Sequence, residues 1–335
     1  MRHLVGRLPL SSQGELMATV DNTANQKPAV LQRREFRSLG TTRFREWFIL
    51  TALACCTAFT VLITVTIVCL LVGQTFRFFS MPETGIADFF FGLKWSPTLG
   101  NEKLFGIWPL ICGTMWVTVI AMCVALPLGL VTAIYLSEYA PQRLRSVLKP
   151  ILELLAGIPT VVYGFFALVV ITPGLQAIGI QVDFYNAVSA GIAVGILCLP
   201  TVASLSEDAL RAVPRRLREA AYGLGGTKFD VSLKVVVPAA LLGIISAFLL
   251  AAARAIGETM VVAMAAGALA KLTFDPRQQI QTMTGHMAST ATGDISNFDV
   301  RYYSIYAVAL VLFLITLSLT VIGNIVRRRF QEAYD

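Results

Sequence analysis

Six stretches of this chain run almost without Asp, Glu, Lys or Arg: residues 47–76, 104–137, 154–182, 184–206, 235–270 and 302–326. Each exceeds the roughly 20 residues that a helix needs to cross a bilayer. Backbone groups in lipid must be satisfied within the segment, so the runs predict six transmembrane helices and an all-α, polytopic bundle. The third and fourth runs are separated only by Asp183, and Pro173-Gly174 with the polar turn behind them lets the chain reverse there. The overall balance agrees. Only 14% of residues are charged, against about a quarter in soluble domains.

Charge outside the runs predicts orientation. With the N-terminus inside, the inner segments hold twenty Lys and Arg and the outer segments six, which favours N-in and C-in by the positive-inside rule. The net charge of +7 is then a topology signal. It is not a nucleic-acid footprint, because no basic stripe is interleaved with aromatics. Residues 1–46 carry Arg33, Arg34, Arg37, Arg43 and Arg45. They are expected to be disordered early on and to rest on anionic headgroups near the membrane. The apolar run that begins at Trp47 is too long for a signal-peptide core.

One ionisable pair breaks the fifth run. Arg254 lies 16 residues beyond Pro238, roughly 24 Å along a helix axis and so near the bilayer centre. A charge there costs from about 2.5 to more than 10 kcal/mol. Glu258 follows four residues later, which on a continuous helix puts it on the same face as a local partner. An intramembrane charge of this kind is a candidate for a substrate path or gate, and Thr259 belongs to the same candidate. The alternative is a fixed pair that only holds helices together.

The inner connection 207–237 is too ordered for a linker. Helix formers run to Tyr222, glycines at 223, 225 and 226 then stop the helix, and Thr227 with Asp230 reads as a capping box opening a second one. Pro127, Pro159 and Pro200 fall within the second, third and fourth runs, where they are expected to kink helices. The outer connection is rich in aromatics: Phe76, Phe78, Phe79, Phe89, Phe90, Phe91 and Trp95. Most are expected to form an interfacial belt. The six cysteines all lie in apolar runs and read as small packing residues. Several chemistries find no footing. No G-x-x-x-x-G-K-[ST] run cradles a nucleotide, no H-E-x-x-H pattern occurs, and the two histidines, His3 and His286, stand apart. No nucleophile–base pair for an intramembrane enzyme is visible.

Glu219-Ala220-Ala221, Gly225, Val235, Val237 and Pro238 match the spacing of the cytoplasmic loop of ABC importer permeases, E-A-A, three residues, G, nine residues, I, one residue, L-P. Valine replaces isoleucine and leucine. The segment 153–165, the run Ser206-Glu207-Asp208-Ala209-Leu210 with Pro214, and Arg254-Ala255-Ile256-Gly257-Glu258-Thr259-Met260 resemble signatures of phosphate-specific permeases. Met260, Trp95-Ser96-Pro97 and Phe105-Gly106-Ile107-Trp108-Pro109 look like the PstC-type subunit. The resemblance covers roughly residues 85–326.

It implies a MetI-like ABC importer permease fold. The expected order is a basic extension (1–46), a first transmembrane helix (47–76), an external loop (77–103), a permease core (104–326) with the coupling loop 207–237, and a tail (327–335). It also implies a second, PstA-type permease, an ATP-binding subunit acting as a dimer, an external phosphate-binding protein, and inorganic phosphate as substrate. Glu219, Ala220, Ala221 and Gly225 would couple to the ATPase, and no cofactor is implied. Two alternatives stay open. Sulfate and molybdate permeases carry a similar Arg and Gly-Glu, although Thr259-Met260 points away from them. A membrane scaffold or regulator of the ATPase would transport nothing.

Overall fold

The computed structural model describes residues 40–97, 103–293 and 299–331; the basic stretch before residue 40 lies outside them. They fall into two compact units, one ending at Val65 and one beginning at Thr66. In the first unit the described residues belong to α1 (Gly40–Phe79), the first apolar run. The hydroxyls of Thr51, Thr57, Thr60 and Thr64 each bond to the carbonyl four residues earlier. Polar atoms are thereby satisfied within the helix, as a lipid environment demands.

The second unit begins with the end of α1 and the short helix α2 (Ile86–Phe91). A two-residue hairpin follows, β1 (Trp95–Ser96) pairing antiparallel with β2 (Leu104–Phe105). Helix α3 (Trp108–Ile134) ends in a π-helical turn, Tyr135–Tyr139. An amphipathic helix α4 (Gln142–Ala156) leads to α5 (Thr160–Phe166), which continues through the π-helical turn Ala167–Ile171 into α6 (Thr172–Ala177). Next come α7 (Ala187–Ala212), the connector helices α8 (Arg215–Gly223) and α9 (Lys228–Val231), and the single turn α10 (Val237–Ala239). The fifth run holds α11 (Leu241–Ile256) and α12 (Met260–Ala265). Helices α13 (Met283–Thr292) and α14 (Val300–Gln331) complete the described chain. Among the described residues, five helical segments are long and apolar enough to cross a membrane. A sixth crossing follows if Lys228–Ala239 and Leu241–Ile256, bent by 70°, act as one span.

Helix α7 starts where Asn186, fully buried, accepts a hydrogen bond from the Ser189 amide at 2.7 Å, the usual N-cap geometry. It then packs along α3 through small residues. A Cβ on Gly191 would meet Ile120 Cβ at 2.6 Å, and one on Gly195 would meet Val124 Cβ at 2.8 Å. Glycines four apart bring two backbones close where lipid supplies no hydrophobic drive. Val117, Ala121 and Ala125 of α3 share the resulting core with Ala190, Val194 and Leu197 of α7.

Three sequence expectations change here. Phe78, Phe89 and Trp95 are not part of an interfacial belt. They are buried with Phe105 in edge-to-face contacts, Phe78 and Phe105 having ring centroids 5.3 Å apart. Hairpin β1–β2 folds them inward, and Phe76, Phe90 and Phe91 stay exposed. Pro159 does not kink a span. It stands at the N-cap of α5, after the chain leaves helix at Gly157, whereas Pro127 and Pro200 lie inside α3 and α7. Of the cysteines, only Cys198 packs in the interior; Cys112 is half-buried and Cys55, Cys56, Cys69 and Cys123 are exposed.

Candidate functional site

The fifth run is a broken helix, and the break falls between the two charges. At 16 residues, α11 extends about 24 Å, short of a full crossing. Gly257, a poor helix former, ends it by closing on the Ala253 carbonyl at 3.2 Å. Residues 257–259 are not helical, and the chain resumes helix at Met260. Thr259, half-buried, turns its hydroxyl back to the Gly257 carbonyl at 3.3 Å.

Arg254 and Glu258 therefore part company, contrary to the expectation of one shared helix face. Arg254 sits in the last turn of α11 with its side chain exposed. A cation at a helix C-terminus is favoured by the carbonyls that end there. Among the described residues it forms no ion pair with Glu258. It lies within electrostatic range of Tyr163 on α5 and Cys198 on α7. Glu258 turns inward and is 9% exposed. Its Oε1 accepts from the Val261 amide at 3.4 Å, capping α12, and its carbonyl accepts from the Thr284 hydroxyl at 2.6 Å. The break is thus held from α13, an element to which no sequence motif pointed; the only trace is the polar run Gln281, Thr282, Thr284, His286 between apolar segments.

The connector folds as its sequence reads. Helix α8 ends in a Schellman motif, with the Gly226 amide on the Ala221 carbonyl at 3.2 Å and the Gly225 amide on the Tyr222 carbonyl at 2.9 Å. Gly225 has φ of +83°, a conformation open to glycine at little cost. Thr227 then caps α9 by accepting from the Asp230 amide at 3.2 Å. Glu219 and Ala220 face outward, as do Tyr222, Leu224 and Phe229. Ala221 turns inward onto a small core of Val213, Val231, Val236 and Ile244. The result is an outward-facing surface on a rigid base at the foot of α7 and α11.

At the same end of the bundle lies an ion cluster whose geometry the sequence did not disclose. Glu207 of α7 is fully buried. Arg145 of α4 bonds to its Oε1, Lys149 Nζ lies 3.0 Å from its Oε2, and Arg211 Nη1 is 3.9 Å away. A buried carboxylate is stable only with such partners.

A helical bundle with one crossing broken beside an exposed cation, and an outward-facing connector at one end, is an architecture that comparison with known proteins can place. Residues 125–332 match the binding-protein-dependent transport system inner membrane components. The chain belongs to this family. The match includes both the break in the fifth run and the connector. Among curated proteins, the permease is similar to the probable ABC transporter permease protein YqgH of Bacillus subtilis (strain 168), 37% identical over 214 residues, covering 63% of this chain and 69% of that one. It is also similar to the phosphate transport system permease protein PstC of Mesorhizobium japonicum, 31% identical over 260 residues, covering 71% and 77%. Among solved structures, a bacterial ABC transporter involved in the import of the acidic polysaccharide alginate superposes with a TM-score of 0.61 over 86% of this chain and 98% of that one. Identity there is 13%, so the likeness is one of fold. The permease is a transport subunit and a membrane-spanning helical protein, as its sequence predicts.

Proposed function

We propose that this permease subunit carries inorganic phosphate inward across the bacterial inner membrane, as part of an ATP-driven importer with a second, PstA-type permease, an ATP-binding dimer and an external phosphate-binding protein. The observation that carries the reading is Arg254, exposed and unpaired among the described residues at a helix break inside an apolar run. Broken helices at membrane depth are where transporters of several folds place their substrate. A guanidinium matches phosphate oxygens in a planar fork. Similarity to PstC proteins supports phosphate over other oxyanions.

In this reading both termini are cytoplasmic, and the connector 207–237 faces the ATPase. Phosphate-loaded binding protein docks outside. Closure of the ATPase dimer moves the surface around Glu219, Ala220, Ala221 and Gly225. The bundle then alternates between inward-open and outward-open states. Arg254 meets the anion in transit, while Glu258 and Thr259 shape the break. The Glu258 carboxylate, at the same break though not paired with Arg254, offsets its charge so that phosphate is not trapped on a bare cation.

The test is uptake of labelled phosphate in proteoliposomes holding all four components, with and without ATP, against sulfate and molybdate as competitors. ATP-dependent phosphate uptake insensitive to both competitors is expected. Hydrolysis without phosphate movement, or uptake of a labelled competitor instead, would overturn the phosphate assignment.

A further inference from the structure

Helix α8 is outside the bundle, so movement delivered to Glu219 reaches the spanning helices through its short backbone joins to α7 and α9 and through the contacts its side chains make. Most of its side chains leave it free: Arg215, Arg216, Leu217, Glu219, Ala220 and Tyr222 are exposed. Arg218, immediately before the Glu219-Ala220-Ala221 run, points the other way. Its side chain is 19% exposed. Its Nη2 donates to the Leu210 carbonyl at 2.7 Å and reaches Glu138 Oε1 at 3.2 Å.

These two acceptors belong to different spanning segments. Leu210 is in the last turn of α7. Glu138 lies in the π-helical turn that ends the second span, with its carboxylate 8% exposed and also accepting from the Ser137 hydroxyl at 2.9 Å. Helices α3 and α7 are the closely packed pair joined through Gly191 and Gly195. One guanidinium therefore ties the connector helix to the ends of the two helices that form the centre of the bundle. The other side-chain contact of α8 with this core, through Ala221, is apolar and carries no directional bond. A charge-assisted link in a half-buried site resists being pulled apart far better than an exposed pair.

We propose that Arg218 is a positioning residue for energy coupling: it transmits displacement of α8 to α3 through Glu138 and to α7 through the Leu210 carbonyl. The inference rests on the coupling role given to the connector above, and not on which anion is carried. Without the link, displacement of α8 would reach α3 and α7 only through its backbone joins and the spanning helices would lag. Hydrolysis would then continue with little transport.

The test measures anion moved per ATP hydrolysed in the complete reconstituted importer. Arg218→Met and Glu138→Gln are each expected to keep subunit assembly and ATP hydrolysis while the ratio falls by about tenfold. The double variant is expected to fall no further than Arg218→Met alone, because the Glu138 contact is already lost when Arg218 is removed. Arg218→Lys, which retains the charge, is expected to lie between wild type and Arg218→Met. An unchanged ratio in assembled Arg218→Met, or losses that multiply in the double variant, would overturn the proposal. So would failure of both single variants to assemble, which would make the pair a structural staple. If the wild-type complex moves sulfate instead of phosphate, the phosphate reading falls, and the same ratios measured with sulfate still decide the role of Arg218.

Discussion

The hydroxyl of Thr284 donates to the backbone carbonyl of Glu258 at 2.6 Å, joining α13 to the break in the fifth run. A helix that stops at membrane depth leaves carbonyls without amides, and these need partners because lipid offers none. Thr284 is such a partner, and it is buried with the carbonyl it satisfies. Its own helix is fixed nearby, since the Met283 amide donates to Thr114 Oγ1 at 3.0 Å. The broken geometry at Gly257–Thr259 is therefore a tertiary product of α3, α11 and α13 together.

Replacing Thr284 with Val keeps the shape and removes the donor. An unsatisfied buried carbonyl costs about 1–3 kcal/mol, so thermal unfolding in detergent should shift down accordingly, while Thr284→Ser should stay near wild type. Equal stability of Thr284→Val and wild type would show that another group satisfies Glu258.

Arg254→Lys keeps the charge at the break and loses the planar fork. Phosphate uptake at saturating binding protein should fall on the order of tenfold, about 1.4 kcal/mol in the barrier, with assembly intact. Wild-type uptake in this variant would exclude bidentate contact with the anion.

Glu258→Gln leaves an oxygen to cap α12 and removes the charge. The Gln oxygen keeps the bond to the Val261 amide, so the fold should be retained, while release of phosphate to the inside slows. Unchanged kinetics in a stopped-flow or filter assay would reduce Glu258 to its capping role.

Glu207→Ala would leave Arg145 and Lys149 facing each other without the carboxylate between them. Breaking a buried pair costs about 3–5 kcal/mol, so this variant should express poorly and melt early. Replacing exposed Asp208, which also contacts Lys149 at 2.9 Å, should cost less than about 1 kcal/mol. Comparable melting of the two variants would contradict the burial argument.

His286 gives a pH signature. Burial beside Trp95 and Ser304 pushes its imidazole down from 6.5 to about 4. Between those values the unfolded chain binds the proton and the folded chain does not, so stability rises with pH there. The contribution is flat above about pH 6.5 and is lost at up to about 1.4 kcal/mol per unit on acidification toward pH 4. The difference in melting temperature between wild type and His286→Gln, followed from pH 7 to 4.5, should narrow as the pH falls. A constant difference would mean that the ring charges freely in the folded protein.

Local features of this chain were legible because their causes are local. An apolar run longer than a bilayer is thick has to be mainly helical, because lipid leaves its backbone groups no other partners. Thr227 caps α9 and Gly225 takes positive φ because each answers to neighbours within a few residues. The connector motif could be read for the same reason, being a short helix and its glycine stop.

Contacts between distant elements decided the rest. Arg254 and Glu258 look like a pair at a spacing of four, and a continuous helix would make them one. Gly257 permits a break, but the orientation of Glu258 depends on Thr284, 26 residues away. Phe78 and Trp95 could equally have faced the interface until hairpin β1–β2 placed Phe105 between them. Arg218 and Glu138 are separated by two membrane crossings and meet only when α7 packs on α3. The sequence by itself determined that the chain is a bundle of membrane-length apolar helices and which connector is ordered, because bilayer thickness, capping and glycine freedom act within a few residues. Which charges pair, which aromatics are buried and where the fifth crossing breaks were decided by the tertiary structure, because burying a polar group or a ring needs partners that only packing can supply.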